Sequence, residues 1–265
     1  MPQLPTYFLS HGGGPWPWMQ EFGTAYDELA QSLTQLSSDL TSRPQALLVV
    51  TAHWEEPSFS VSSAAFPSMI YDYYGFPDYT YQIQYPAPGD PQLAQSVVER
   101  LQSAGIEART DSSRGFDHGT FTPLAVSFPK ADIPVVQLSL NSNLDTALHY
   151  RAGQALQGLR DQGVLIIGSG LSYHNLRRFD KSAQEPSRQF DDWLYQTLAL
   201  SESARYQALQ HWQSAPSARI AHPREEHLMP LWVALGAASN AKAHCIYRQN
   251  DLFGGISASS YRFDG

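Results

Sequence analysis

The chain is poor in cysteine, in positive charge and in long apolar runs, and each shortage excludes something. Cys245 is the single cysteine among 265 residues, so neither an intramolecular disulfide nor a cysteine metal cluster can form, which fits a reducing compartment. Lys and Arg number 17 against 25 Asp and Glu, a net charge of −8. That balance argues against a nucleic-acid or anionic-membrane partner. The only basic doublet, Arg177-Arg178, makes no patch. Apolar runs such as Ala46 to Val50 are far too short to span a bilayer. The opening residues, Met1-Pro2-Gln3-Leu4-Pro5-Thr6, lack the charged head and apolar core of a signal peptide. A cytoplasmic location is therefore expected, with no membrane partner. The sequence leaves the oligomeric state unspecified.

What is present is an alternation of apolar strands and amphipathic helices. Leu4 to Leu9, Ala46 to Thr51, Val135 to Leu140 and Gly163 to Gly170 are apolar runs of the kind buried on both faces of a sheet. Between them, apolar steps of three and four predict helices over 21–40, 91–104, 145–162, 186–200 and 202–213. A further helix is expected to begin near Pro123, and another to be opened by Glu225-Glu226-His227 and carried by Leu228, Leu231, Trp232 and Leu235. Ile106 to Arg109, His244 to Arg248 and Ser257 to Phe263 read as strands, and Cys245 within them as a small buried hydrophobe. No repeat, low-complexity tract or linker divides residues 1–265. The pattern predicts a single α/β domain of three layers, α/β/α, around a mostly parallel or mixed sheet.

Histidine is distributed unevenly over this frame. His11 opens Gly12-Gly13-Gly14-Pro15 after the first strand, His53 sits just past the second, and His174 follows Gly168-Ser169-Gly170. His118 lies in Asp117-His118-Gly119-Thr120 and His227 in Glu225-Glu226-His227. In open α/β sheets ligands bind beyond the carboxyl ends of the strands, so His11, His53 and His174 would converge there without being near in sequence. Imidazole is the commonest protein metal ligand and titrates near neutrality, which makes such a cluster a candidate site. His149, His211, His222 and His244 read as structural. Spacing excludes zinc-finger and HExxH patterns. The triple glycine lacks the Lys-Ser/Thr of a phosphate loop, and Gly168-Ser169-Gly170 lacks the strand-turn-helix order of a serine nucleophile.

Eight short motifs in register carry a family resemblance. They are Ser10-His11-Gly12-Gly13-Gly14-Pro15, Thr51-Ala52-His53-Trp54-Glu55, Ile70 to Pro77 (IYDYYGFP), Tyr85-Pro86-Ala87-Pro88-Gly89, Gly115 to Gly119 (GFDHG), Pro134 to Ser139, Gly168-Ser169-Gly170 to His174-Asn175, and Glu226 to Leu231. Together they resemble the DODA-type extradiol aromatic ring-opening dioxygenases of the LigB-like, class III superfamily, and the resemblance runs from residue 4 to about residue 262. The resemblance implies a mononuclear metal on His11, His53 and His227, with His118 and His174 on the substrate side and His174 able to approach the metal. The best-known class III enzymes use two histidines and a carboxylate. Here Glu225, Glu226 and His227 compete for the third place, and the DODA-type pattern favours His227. Three imidazoles suit Fe2+ or Zn2+.

The implied reaction opens a catechol, for example a 3,4-dihydroxyphenyl compound, with O2. A base removes a catechol proton and an acid assists O–O cleavage, roles that fit His174 and His118. Tyr71, Asp72, Tyr73 and Tyr74, in an aromatic loop, either wall the ring pocket or simply pack; Tyr71, Asp72 and Tyr74 are taken as substrate-binding candidates. Two other functions share these residues: a zinc-dependent hydrolase using the same three histidines, and a non-catalytic ligand-binding relative.

Overall fold

A computed structural model describes residues 3–264. Met1 and Pro2, with which the reading of the N-terminus begins, and Gly265 lie outside the described residues. Eight strands form one sheet: β1 (Thr6–Ser10), β2 (Ala46–Glu56), β3 (Phe59–Ser62), β4 (Ala108–Asp111), β5 (Val135–Asn141), β6 (Val164–Gly170), β7 (Lys242–Leu252) and β8 (Ile256–Asp264). Their order is β4-β3-β5-β2-β6-β1-β8-β7. The centre, β5-β2-β6-β1, is parallel, while β8 and β7 add antiparallel strands at one edge. All four central strands are wholly or mostly buried, which is why they read as continuous apolar runs.

The helices are α1 (Asp27–Ser38), α2 (Pro91–Ser103), α3 (His118–Ser127), α4 (Thr146–Leu156), α5 (Gln184–Leu198), α6 (Glu202–Gln210), α7 (Ala218–Ala221) and α8 (Pro230–Ala237). Neighbouring residues of β6 show that they cover both faces. A Cβ on Gly168 would lie 2.5 Å from the Pro230 carbonyl oxygen of α8, whereas the next side chain, Ser169, donates to the Gly119 carbonyl of α3. Successive residues of a strand point to opposite faces, so α8 and α3 sandwich the sheet. The expected three-layer α/β/α arrangement with a mixed sheet is what forms. No helix among the described residues is long and apolar enough to cross a membrane.

Several boundaries differ from the sequence reading, each for a local reason. The helix expected from Glu21 starts only at Asp27, because Gly23 adopts φ 53° after a 3-10 turn at Gln20–Phe22. The helix expected near Pro123 begins five residues earlier at His118, where the Asp117 side chain caps the Thr120 N–H. The helix expected through Gln162 tightens into a 3-10 segment after Leu156. Glu225 to Met229 form the turn that leads into α8, and the four-residue α7 was not foreseen. Strand β2 runs on to Glu56, so His53 lies within it. There β2 advances from Val50 to Glu55 while β5 advances only from Leu138 to Leu140, and the slipped register throws His53 out of the ladder.

Candidate metal centre

Each histidine is held by backbone as well as by side chain. His11 follows β1 directly; its N–H donates to the Gly170 carbonyl (3.1 Å), and the Trp16 indole donates to its carbonyl (2.7 Å). His118 is the first residue of α3, with its N–H on Asp72 Oδ1 (3.0 Å). His174 donates its N–H to the Ala221 carbonyl (3.0 Å). His227 accepts at its carbonyl from the Leu171 N–H (3.0 Å). Gly170 makes that approach possible, since a Cβ there would stand 2.0 Å from the same carbonyl oxygen. Gly119 serves likewise, because a Cβ there would meet the His53 ring at 2.7 Å.

Three imidazole nitrogens meet at one point. His53 Nε2 lies 3.2 Å from His11 Nε2 and 3.3 Å from His227 Nε2. His118 and His174 flank this trio: His118 is 4.0 Å from His53 between ring centroids, and His174 stacks on His227 at 3.4 Å and 22°. The ligand atoms of His11, His53 and His118 fall within 4.8 Å of one another, as do those of His174, Glu226 and His227. His227 reaches His53 by a direct Nε2–Nε2 contact, while His118 shares the space beside His11 and His53.

The opposite ring nitrogens reveal which atom carries the proton. Asp72 accepts from His118 Nδ1 (2.7 Å) and faces His53 Nδ1 at 3.2 Å. Glu226 Oε1 accepts from both His174 Nδ1 (3.0 Å) and His227 Nδ1 (2.9 Å). An ionised carboxylate only accepts, so the Nδ1 atoms bonded to it, those of His118, His174 and His227, bear hydrogen, and the charge of Asp72 beside His53 Nδ1 favours the same tautomer there. For His11 the partner is Ser169 Oγ at 3.1 Å. Its hydroxyl hydrogen goes to the Gly119 carbonyl, so Ser169 accepts from His11 Nδ1. That carbonyl is free because of Pro123. The helical partner of Gly119 O would be the N–H four residues on, and proline has none. The proline inside α3 thus leaves an acceptor for Ser169 on the neighbouring strand.

Hence three Nε2 lone pairs converge with no hydrogen between them, an arrangement that repels unless a cation sits among them. The residues fit a divalent metal: neutral imidazoles on the Nε2 side, each oriented through Nδ1 by an acceptor. Burial lowers the pKa of His53 to about 3, with repulsion from His118 adding and the Asp72 charge opposing. Burial and the neighbouring histidines also push His11 and His227 well below the ordinary value, so all three stay neutral as metal ligation requires. Burial raises Asp72, but hydrogen bonds and charge from His118 prevail and lower it to about 2. Glu226 is also lowered; its burial is outweighed by the His174 hydrogen bond.

The cluster forms the floor of a cavity of about 770 Å3. Asp72, Tyr73, Tyr74 and Phe76 line one side, with Tyr74 92% exposed at the mouth. Two substrate-side expectations need revising. Tyr71 is not in this lining; its hydroxyl donates to the Ile83 carbonyl and its ring packs against Tyr73, Tyr81 and Phe121. Asp72 does reach the cavity, but both carboxylate oxygens are engaged by histidines. Sequence reasoning missed the orienting roles of Ser169, Pro123 and Glu226, and the apolar wall of Phe22, Tyr26, Leu171, Phe179 and Phe253. Outside the cluster, His149 and His222 are buried on backbone partners, His211 and His244 are exposed, and half-buried Cys245 has its thiol pushed up to about 11 by burial.

The family model described as the catalytic LigB subunit of aromatic ring-opening dioxygenase matches residues 5–264. A 4,5-DOPA dioxygenase extradiol of Beta vulgaris is 41% identical, the match covering 97% of this chain and 96% of the relative. One of Escherichia coli (strain K12) is 35% identical, over 89% and 85%. The crystal structure of an uncharacterized Escherichia coli K12 protein superposes with a TM-score of 0.79 at 29% identity, covering 99% of this chain and 100% of that one.

Proposed function

The chain belongs to the LigB family and is an extradiol aromatic ring-cleavage dioxygenase; from that premise we propose that it opens a catechol with O2 at one Fe2+ held by His11, His53 and His227. The convergence of three hydrogen-free Nε2 atoms supports this reading most directly. Bound there, iron supplies a centre at which catechol and O2 exchange electrons. Zn2+ suits the same imidazoles but has no redox chemistry, so zinc would fill the site without supporting the reaction. The hydrolase and the non-catalytic module weighed from the sequence give way to the family membership.

The chain's own contribution is proton handling and shelter. His174 and His118 carry their protons on Nδ1, committed to Glu226 and Asp72, so each offers an Nε2 lone pair. Either takes a hydroxyl proton from the catechol, and the imidazolium formed is stabilised by the carboxylate behind it. The same proton is then available for return to the substrate oxygen when the O–O bond breaks. The apolar wall excludes water that would compete for these protons.

Anaerobic reconstitution with Fe2+ followed by oxygen uptake on a catechol panel tests the reading. Uptake with a yellow ring-opened product is expected. In His53→Ala most of the metal is lost while the fold is kept; full metal occupancy in that variant would remove His53 from the site.

A further inference from the structure

The cavity is much larger than the ring that its floor would hold. A space of roughly 150 Å3 accommodates benzene, whereas this one is about 770 Å3, within the range of about 300–1,000 Å3 that takes ligands of drug size. The excess lies against a wall built from three separate segments. Phe22 and Tyr26 come from the turn before α1, Phe179 from the loop after β6, and Phe253 from the β7–β8 hairpin. Their rings pack on one another: Tyr26 on Phe253 at 5.3 Å, Phe22 on Phe253 at 5.8 Å and Phe179 on Phe253 at 5.5 Å between centroids. Tyr26 presents its ring, because its hydroxyl is turned against the Gly13 backbone, 2.9 Å from where a Cβ on Gly13 would stand. No Lys or Arg lines the cavity, and its one carboxylate, Asp72, is occupied by His53 and His118.

We propose that the bay walled by Phe22, Tyr26, Phe179 and Phe253 is a subsite for an uncharged apolar or aryl substituent on the substrate ring. A charged substituent there would lose its hydration and meet no counter-ion, which costs more than burying apolar surface returns. An aryl group finds ring edges and faces in the offset and T-shaped arrangements that aromatic pairs prefer. A second groove of about 500 Å3 shares His174 and Leu176 with the cavity and carries Arg177, Arg178 and Arg224. It is the competing location for a substituent, and its chemistry is opposite. Two of its cations are already engaged: Arg224 by Glu55 and Arg178 by the Ser182 carbonyl.

The subsite rests on the catechol-opening reading, and the test separates the two. The Fe2+-loaded enzyme is assayed with catechol, 4-phenylcatechol, 3,4-dihydroxyphenylacetate and the cationic 3,4-dihydroxyphenethylamine. Anaerobic calorimetry follows binding of catechol and 4-phenylcatechol without turnover. The expected result is a kcat/KM for 4-phenylcatechol at least tenfold above catechol, mainly through KM, with neither charged substrate gaining tenfold. Phe253→Ala, with Phe22→Ala as a second variant should the first fail to fold, should bring the 4-phenylcatechol to catechol ratio towards one. An anionic substrate favoured tenfold and dependent on Arg177 would overturn the subsite and move the substituent to the basic groove. Equal kcat/KM and equal binding for catechol and 4-phenylcatechol would overturn it outright. Tenfold tighter binding of 4-phenylcatechol without any ring opening would uphold the subsite and contradict the catechol-opening reading alone.

Discussion

Asp72 and Glu226 each hold the Nδ1 of one proposed ligand and of one proton-handling histidine, yet they do so with different atoms. Asp72 divides its oxygens: Oδ1 takes the His118 ring and backbone N–H, and Oδ2 faces His53. Glu226 gives Oε1 to both His174 and His227 and turns Oε2 towards Arg224. The rings follow suit, tilted by 50° at 4.0 Å in the Asp72 half and stacked at 22° and 3.4 Å in the Glu226 half. A carboxylate with divided oxygens cannot be replaced by an amide, because one of its two contacts would then face an NH2 group. A carboxylate that serves both histidines with one oxygen can keep them as an amide, losing only the longer contact of its other oxygen with Arg224 at 3.5 Å. The two halves therefore look equivalent in composition but differ in what they tolerate.

The largest expected effect distinguishes the outer histidines from the inner three. His174→Ala should lower kcat by about a hundredfold or more, the ordinary contribution of a positioned acid–base group, while metal content and catechol binding persist. Loss of metal together with activity would make His174 a fourth ligand; retention of both would shift the proton role to His118.

Next comes the amide comparison. Asp72→Asn turns an NH2 towards His53 Nδ1 and forces the other tautomer, placing hydrogen on the Nε2 that should face the metal. Metal affinity should fall by about 10–100-fold, as for other orienting partners. In Glu226→Gln the amide oxygen still serves both histidines and only the Arg224 contact meets an NH2, so the loss should stay below about tenfold. Titration of the metal-free proteins with Co2+, followed by its visible absorption, reads both. Equal losses would dissolve the distinction between the halves.

Much of this site is legible in the sequence and some of it cannot be. His11 and His174 follow apolar runs directly, and strand-end placement points to them. His53 is misplaced by a few residues because the slipped register in β2 leaves no mark in composition. The tie between Asp72 and His118 leaves no local signal, because 46 residues separate them. Tyr71 and Tyr73 are indistinguishable in IYDYYGFP until their hydroxyls find partners in Ile83 and Thr80. The Pro123–Gly119–Ser169–His11 chain joins a helix, a strand and a loop, so it exists only once all three are packed. The helices and strands were readable because their periodicity is local; orientation of side chains across layers is not.

A smaller effect tests that chain. Ser169→Ala leaves His11 Nδ1 without its acceptor and should weaken metal binding by about tenfold, at the low end for an orienting partner. Pro123→Ala returns an N–H to α3 that competes with Ser169 for the Gly119 carbonyl, and a shift in the His11 nitrogen resonance would report it. Unchanged resonance and affinity in both variants would detach Ser169 from the site.

The smallest expected effect lies outside the cluster altogether. Burial lowers His149 to about 4 and His222 to about 3, so the folded protein resists protonating them. Their stabilising contribution is complete above the unfolded value near 6.5 and is lost as pH falls towards those folded values. At pH 5.5 each should have cost about 1 kcal/mol relative to pH 7.5. Protonating His149 at Nε2 would also break the bond it accepts from the Asn141 N–H. Urea unfolding of His149→Gln should show a smaller loss over that interval than the parent; an identical loss would clear His149 of the effect.

The central claim is that the metal belongs to His11, His53 and His227 rather than to either neighbouring group of three. A crystal structure of the Fe2+-loaded protein, with anomalous differences collected at the iron edge, tests it most directly. The account predicts one peak in contact with the Nε2 atoms of those three histidines, with Asp72 and Glu226 still on the Nδ1 side. A peak shared by His11, His53 and His118 with His227 unliganded, or one on the Glu226 carboxylate, would contradict it.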